Sequence, residues 1–477
     1  MPAARISLPD EIVADVAPAW ESLRLELGVP DAFAPAVLAE ADAAAASLGS
    51  RLPELDRTDL PLVTIDPEGA RDLDQAVAIE RRSGGGYRVH YAIADVASFA
   101  APGGAVDVES HRRGMTLYAP DRNVPVHPEV LSTGAASLLP GELRPALLWT
   151  LDLDAGGALV GTDVRRAQVR SRRQLAYPEV QRLLDTATAD ESLDLLREVG
   201  RLRQARAAER GAVHLPTLEQ EVEVGTDGPP RLVFRAPLPC EDWNAEISLL
   251  TGMAAAAVML QGRVGLLRTL PPPEPTEVVS VRRSALALGL AWPEDATYAA
   301  VISALDPNVP EAAALLTFAA RLLRGAAYTA FDGTVPAQVM HSAVAAPYAH
   351  ATAPLRRLAD RYVGEVCVAL VAGADVPPWA GAGLSALPAE MAAAGQRAHA
   401  LERAVVDLAE AVVLAARVGE EFDAVVVESG ERKGVVQLRD PAVRARCDAP
   451  RLPLGHALRV RLAEVDVTAR RVVFRPA

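Results

Sequence analysis

The sequence has 477 residues, half of them hydrophobic, and a formal net charge of −14. A chain of this length is expected to form two or three domains around a large core. The acidic balance argues against a protein that coats nucleic acid non-specifically, and the three widely spaced cysteines argue against a disulfide or zinc framework.

Neither a membrane nor a secretory route is indicated. No uninterrupted apolar run approaches the roughly 20 residues that a membrane span needs. The start Met1-Pro2-Ala3-Ala4-Arg5 lacks the basic-then-apolar pattern of a signal peptide. We therefore expect a cytoplasmic protein, and nothing in the sequence points to a protein partner.

Two helices are predicted at the N-terminus, over residues 9–28 and 32–49. Asp10 is a plausible N-cap of the first helix, and Gly49 closes the second. Only a short break separates them, a spacing compatible with a helix-turn-helix. The pattern predicts a small helical module over residues 1–57.

Strands and helices follow in a mixed order. Alternating or short apolar runs predict strands at residues 60–65, 87–94, 146–153 and 159–170. Helical periodicity covers residues 178–209, 243–262, 310–328, 355–371 and 387–418. Short strands return at residues 422–428, 433–438, 456–463 and 471–475. This terminal pattern predicts a five-stranded barrel of the OB type.

Three aspartates stand within nine residues, directly after the first predicted strand: Asp66, Asp72 and Asp74. Convergent carboxylates repel one another unless a cation lies between them. Mg²⁺ prefers such hard oxygen ligands, and a pair of metal ions can activate water for an in-line displacement. On spacing alone, a solvated acidic loop or helix caps explain the aspartates equally well, whereas the spacing does not match an EF-hand.

The segment from residue 64 to 76, TIDPEGARDLDQA, resembles the signature of RNB exoribonucleases, the family of RNase II and RNase R. In that family a TIDxxxxxDxDDA-like loop provides the active-site aspartates. Asp66, Asp72 and Asp74 match three of its four acids, and Gln75 departs from the fourth. Further family-like motifs follow in order: YAIADV at 91–96, RGMTLYAP at 113–120, VPVHPEVLS at 124–132, SLLP at 137–140, LAY at 175–177, AEI at 245–247 and HATAPLRRLAD at 350–360.

The resemblance implies an α+β fold. An RNB catalytic domain, with a mixed sheet wrapped by helices, would occupy residues 58–419, and an OB-fold RNA-binding domain residues 420–477. Ala353 and Leu358 stand where the family has Ser and Tyr. The N-terminus departs most, because helix-like residues stand where typical bacterial members carry two cold-shock barrels.

The resemblance also assigns a metal site. Asp66, Asp72, Asp74 and Gln75 would hold Mg²⁺, with Mn²⁺ as an alternative, and Asp74 would be the acid most directly tied to the attacking water. Glu246 would complete the acidic shell, although a solvent-facing helical glutamate is an alternative. The neutral Gln75 amide can still coordinate a metal, but it would lower the affinity.

Four further residues would bind the substrate, which the resemblance identifies as single-stranded RNA. Arg356 would clamp the scissile phosphate. Arg357 would contact the RNA backbone or be structural. Tyr118 would stack on a base near the 3′ end, unless it is an interior tyrosine, and Tyr177 would bind RNA or pack at a strand end.

Two functions follow from the resemblance. The first is magnesium-dependent hydrolytic 3′→5′ degradation of single-stranded RNA to nucleoside 5′-monophosphates and a short end product. The alternative is an RNB-fold RNA-binding protein whose catalysis is weakened by Gln75. An acidic scaffold unrelated to RNA would not explain the ordered motifs.

Overall fold

A six-stranded sheet forms the centre of the protein in the computed structural model, which describes residues 17–30, 32–119, 121–216, 218–223 and 231–477. The predicted cap at Asp10 lies outside these residues. The strand order is β5-β4-β3-β2-β1-β6, and every pairing is antiparallel except that of β1 with β6. The strands are β1 (Val63–Asp66), β2 (Gln75–Arg81), β3 (Tyr87–Ala94), β4 (Leu143–Leu153), β5 (Leu159–Arg170) and β6 (Arg173–Ala176).

Successive residues of each strand point to opposite faces of the sheet, and both faces are buried. On β3, Val89, Tyr91 and Ile93 enter one hydrophobic cluster, whereas Ala92 and Ala94 enter another on the opposite face. Large side chains therefore face one layer of helices, and alanines allow the other layer to approach closely.

Helices cover both faces. They are α1 (Ala17–Glu26), α2 (Pro35–Ala46), α3 (Ala105–Arg113), α4 (Tyr177–Asp185), α5 (Glu191–Arg210), α6 (Pro239–Gly262), α7 (Pro275–Ala287), α8 (Tyr298–Ser303), α9 (Pro310–Ala319), α10 (Leu358–Val371), α11 (Pro378–Gly383) and α12 (Leu387–Leu414). Helices α5, α6 and α10 share the cluster of the large side chains, and α2 and α3 share that of the alanines. Helix α6 is long and apolar enough to cross a membrane. Its place in this core accounts for that composition.

The C-terminal residues form a closed barrel in the order β13-β14-β15-β17-β16, which confirms the predicted OB-type fold. Its strands are β13 (Glu421–Glu428), β14 (Gly434–Leu438), β15 (Arg444–Cys447), β16 (Ala457–Asp466) and β17 (Arg471–Pro476). The barrel does not pack alone. The C-terminal half of α12, from Leu401 to Leu414, lies in the same hydrophobic cluster.

Over the residues that the structure describes, the two N-terminal helices pack in different hydrophobic clusters, so the compatible helix-turn-helix is not seen as one unit. Trp20 and Leu23 of α1 are buried with the barrel and α12. Val37 and Ala41 of α2 are buried against the alanine face of the sheet. Each described helix therefore completes a different core.

Other differences arise where local periodicity was ambiguous. The helix predicted at 178–209 is two helices, and the second is capped by Asp190, whose side chain accepts from the Leu193 N–H. The helix predicted at 310–328 ends early, and the chain continues as a strand. Three two-stranded sheets complete the described part of the fold: β7 (Glu219–Glu223) with β8 (Arg231–Arg235), β9 (Val264–Thr269) with β10 (Ala327–Asp332), and β11 (Met340–His341) with β12 (Ala346–Pro347).

Candidate active site

The acidic loop leaves the end of β1 and returns as β2. Asp66 is the last residue of β1, and Asp74 directly precedes β2. Between them Leu73 is fully buried, its N–H donates to Ser137 Oγ over 3.0 Å, and its carbonyl accepts from the Leu138 N–H. The loop is therefore anchored by a segment that lies more than sixty residues away in sequence.

Asp74 is the most buried acid of the loop, with 3% of its surface exposed. Its Oδ1 accepts from the Leu355 N–H at 2.7 Å, and its Oδ2 lies 3.4 Å from Nε of Arg356. Burial raises the pKa of Asp74 well above its usual value, the charge of Arg356 opposes that shift, and the charge of Asp72 adds to it. The structure thus brings together the acid and the arginine that the sequence assigned to catalysis.

Arg356 and Arg357 have different surroundings although they are adjacent. Arg356 keeps 31% of its side chain exposed beside Asp74. Arg357 donates to both carboxylate oxygens of Asp360 at 2.7 and 2.9 Å, and the same carboxylate accepts from the Ala353 N–H. The backbone at Arg357 is extended, so successive side chains point to opposite sides. Of the two roles that the sequence left open for Arg357, this ion pair supports the structural one, because it holds the loop.

Gln75 is not a simple substitute for a metal-binding aspartate. Its amide nitrogen donates to the backbone carbonyl of Thr352, in the loop that carries Arg356. A carboxylate could not make this bond, because it has no proton to donate. Only the amide oxygen of Gln75 remains for a metal, so the residue also ties β2 to the arginine loop.

The two predicted RNA-binding tyrosines lie at the edge of this cluster. The Tyr118 hydroxyl donates to Asp72 Oδ2 at 2.7 Å, and burial and the Asp72 charge raise its pKa. Tyr177 follows β6, whose parallel pairing places Ala176 beside Asp66. Burial raises the pKa of Tyr177 to about 12, and its hydroxyl lies 3.4 Å from the amide nitrogen of Asn244.

Glu246 does not lie with the aspartates, which corrects the prediction that it completes the acidic shell. It is buried on α6, its pKa is raised by burial, and the charges that oppose this shift are those of Arg203 and Arg210 on α5. On the same helix, Asn244 and Ser248 contact Tyr177 and Tyr91 near the cluster. Residues 244 and 248 share a face, whereas residue 246 is rotated by about 200° from residue 244.

The oxygen donors at this site suit a hard divalent cation. Asp72 and Asp74 interact electrostatically, and the pKa of Tyr91 is raised by burial, with the charges of Asp66 and Asp74 adding to that shift. Within the part of the chain that the structure describes, no three His, Cys, Asp or Glu side chains are close enough to form a metal-binding group. The carboxylate oxygens of the three aspartates are the donor type that Mg²⁺ and Mn²⁺ prefer and soft metals do not.

Several residues of the site carry no obvious chemical signal in the sequence. Leu355 and Thr352 act through the backbone, so their side chains give no sign of their role. Ser137 and Asn244 hold the loop and Tyr177 by hydrogen bonds. The SLLP motif was the only signal that could have identified Ser137.

Comparison with known proteins identifies two family matches along the chain. Residues 55–372 match the RNB domain family, and residues 420–477 match the RNase II-type exonuclease C-terminal S1 domain. Ribonuclease R of Escherichia coli (strain K12) is 30% identical over 322 residues, which cover 64% of this chain and 39% of the relative. The chain thus spans well under half of that relative.

Two solved structures share the fold. Mycoplasma genitalium RNase R, in complex with ribose-methylated single-stranded RNA, has a TM-score of 0.83 at 18% identity, covering 96% of this chain and 77% of its own. Yeast Ssd1, a pseudonuclease, has a TM-score of 0.65 at 17% identity, covering 88% of this chain and 54% of its own. At these identities the likeness concerns the fold.

Proposed function

The chain belongs to the RNB family, and on that basis we propose that it is a magnesium-dependent exoribonuclease. It would hydrolyse single-stranded RNA from the 3′ end and release nucleoside 5′-monophosphates and a short end product. The observation that carries the proposal is the buried Asp74 carboxylate, held by the Leu355 N–H and facing a partly exposed Arg356 beside Asp72. The 3′→5′ direction rests on the family.

Arg356 is suited to the scissile phosphate. Its guanidinium is fixed near Asp74 yet retains exposed surface, and a planar guanidinium can donate two parallel hydrogen bonds to a phosphate. Charge that develops on the phosphate oxygens during displacement would be stabilised by the same donors. Because Arg357 is held by Asp360, the loop presents one of its two arginines to the substrate.

Asp74 is suited to act on the attacking water. The Leu355 N–H fixes the carboxylate, so its orientation does not have to be established during the reaction. Its Oδ2 faces Arg356 and is the oxygen available to accept a proton from water. Asp66, Asp72, Asp74 and the amide oxygen of Gln75 would hold the cation. When bound, it neutralises phosphate charge and lowers the pKa of water.

Tyr118 would provide a platform for a base at the 3′ end. Its hydroxyl is fixed by Asp72, so the ring has a defined position beside the acids. Stacking on an aromatic ring is tolerant of base identity, because every base has a π-face. This is the behaviour required of an enzyme that removes nucleotides in succession.

Incubation of 5′-labelled single-stranded RNA with the protein tests the proposal. With Mg²⁺ we expect a ladder of shortening products, nucleoside 5′-monophosphates in the supernatant and no cleavage in EDTA. Mn²⁺ is tested in parallel. Absence of any ladder with either metal would overturn the assignment, and release of nucleoside 3′-monophosphates would overturn the mechanism.

A second candidate function is RNA binding with weakened catalysis. Gln75 favours it, because a neutral amide stands where the family has a metal-binding acid, and the fold is shared with a pseudonuclease. The same experiment separates the two, since binding without a ladder at any magnesium concentration supports the second.

A further inference from the structure

A second arginine, Arg268, lies near the site. Unlike Arg356, it has no acidic partner. It lies on β9 and pairs across the two-stranded sheet with Tyr328 of β10, whose ring centroid is 4.7 Å from the guanidinium carbon. Among the residues that the structure describes, its guanidinium makes no ion pair or hydrogen bond, and none of its nitrogens is fully shielded from solvent. Arg268 is therefore a half-buried charge held by an aromatic face.

A group of aromatic and imidazole rings fixes this arrangement. The Tyr328 hydroxyl lies 2.6 Å from Nδ1 of His350, and the His350 ring packs edge-on against Tyr348. A Cβ at Gly252 of α6 would lie 2.2 Å from the Tyr348 ring, so the helix accommodates this tyrosine only because position 252 is glycine. The side chains of Tyr328, Tyr348 and His350 thus form one packed surface beside Arg268, called the wall below.

The wall is continuous with the catalytic loop. The backbone N–H of Arg268 donates to the backbone carbonyl of Tyr348 at 2.8 Å. His350 begins the segment that leads to Arg356. The charges of Arg268 and Arg356 both act on Tyr348. Both arginines therefore lie near the same tyrosine, on the segment that leads into the catalytic loop.

The charge of Arg268 is not compensated within the wall. Burial and neighbouring positive charge lower the pKa of His350 well below its usual value, and burial lowers that of His341 to about 4, so both imidazoles are neutral at pH 7. Arg357 is neutralised by Asp360. A half-buried guanidinium without a counter-ion is costly unless an anion binds it. Phosphate is the anion whose geometry matches its planar donors.

We propose that Arg268, oriented by Tyr328, is a second phosphate-binding subsite for the RNA substrate. The inference rests on the proposed function. For an enzyme that releases mononucleotides from a 3′ end, the scissile phosphate is the last internucleotide phosphate, so every other one lies on its 5′ side. The subsite therefore binds an upstream phosphate and acts only on RNA long enough to reach it.

The test compares Arg268→Gln with Arg324→Gln, which removes the same charge from an exposed position before β10. Binding of oligoribonucleotides of two to eight nucleotides is measured in EDTA at several salt concentrations. Above a threshold length, Arg268→Gln should bind about tenfold or more weakly. Its salt slope should fall by about 0.7, the value for one phosphate on a single strand. Arg324→Gln should match the wild type.

Turnover separates this inference from the proposed function. With Mg²⁺, Arg268→Gln should show a raised KM for long RNA, and the increase should disappear for the shortest oligonucleotides that the wild type still cleaves. If the wild type cleaves nothing, the proposed function fails, while binding in EDTA still decides the subsite. Equal affinity and salt slope for Arg268→Gln and Arg324→Gln at every length would overturn it.

A conservative variant keeps the test decisive if Arg268→Gln does not fold. Arg268→Lys retains the charge and loses the planar pair of donors. It should keep the wild-type salt slope and bind long RNA more weakly, with dinucleotide binding unchanged. Wild-type affinity of Arg268→Lys for long RNA would overturn the bidentate contact that the proposal assigns to Arg268.

Discussion

Gln75 provides the sharpest test of how this site differs from its family. Replacing it with aspartate makes two changes at once: it removes the donor to the Thr352 carbonyl and adds a negative charge beside Asp74. The first change leaves a partly buried carbonyl without its partner, which costs about 1–3 kcal/mol. The second strengthens the attraction for a divalent cation.

These two effects are measured separately. Denaturant unfolding in EDTA should show Gln75→Asp less stable than the wild type by about 1–3 kcal/mol. Magnesium titration of the cleavage rate should show a lower concentration for half-maximal activity. RNA affinity in EDTA should be similar or slightly weaker, because the added charge repels phosphate.

Gln75→Asn is the matched control. It is neutral and one methylene shorter, so it weakens the bond to Thr352 without adding charge. It should lose stability in EDTA without lowering the magnesium requirement. Superimposed magnesium curves for wild type and Gln75→Asp would show that residue 75 does not face the metal. Full stability of both variants would show that the bond to Thr352 contributes nothing.

Three further predictions concern single groups. Asp74→Asn keeps the acceptor for Leu355 but loses the charge, so turnover should fall by orders of magnitude. Because burial raises the pKa of Asp74, its ionised form destabilises the fold, and the variant should be the more stable protein at neutral pH without metal. Tyr118→Phe keeps the ring, so the limit product should be unchanged, whereas Tyr118→Ala should alter its length through a loss of about 1–3 kcal/mol per stacked base. Burial raises the pKa of Glu410 from 4.5 to about 7, so the folded state retains a proton that the unfolded chain loses. Wild-type stability should fall as pH rises through this window, and Glu410→Gln should be more stable by up to about 3 kcal/mol at pH 8 in denaturant unfolding.

Deletion of the barrel is a poor test of its role in RNA binding. Leu408 and Leu414 of α12 are buried in the cluster that includes Phe422 and Phe474 of the barrel. Removal of residues 420–477 would expose this helix and Trp20 of α1 to water. Lost RNA binding would then report unfolding, so charge substitutions on the barrel surface are the better experiment.

Local sequence was sufficient to predict those elements whose hydrophobic pattern is visible within the element itself. The alternation over 87–94 predicted β3 with its observed limits, and the apolar run before Asp66 predicted the strand from which the acidic loop leaves. The spaced strands after residue 420 predicted the barrel. In each case the signal was a period of two or a short apolar run, and neighbouring residues alone carry it.

Tertiary structure decided which residues meet. Tyr177 reaches Asp66 because β6 pairs in parallel with β1, and Gln75 reaches Thr352 across 277 residues. Glu246 was assigned to the site because it lies on the right helix, but it faces the wrong way. Periodicity shows which residues share a face of a helix, whereas the packing of distant segments determines what that face contacts.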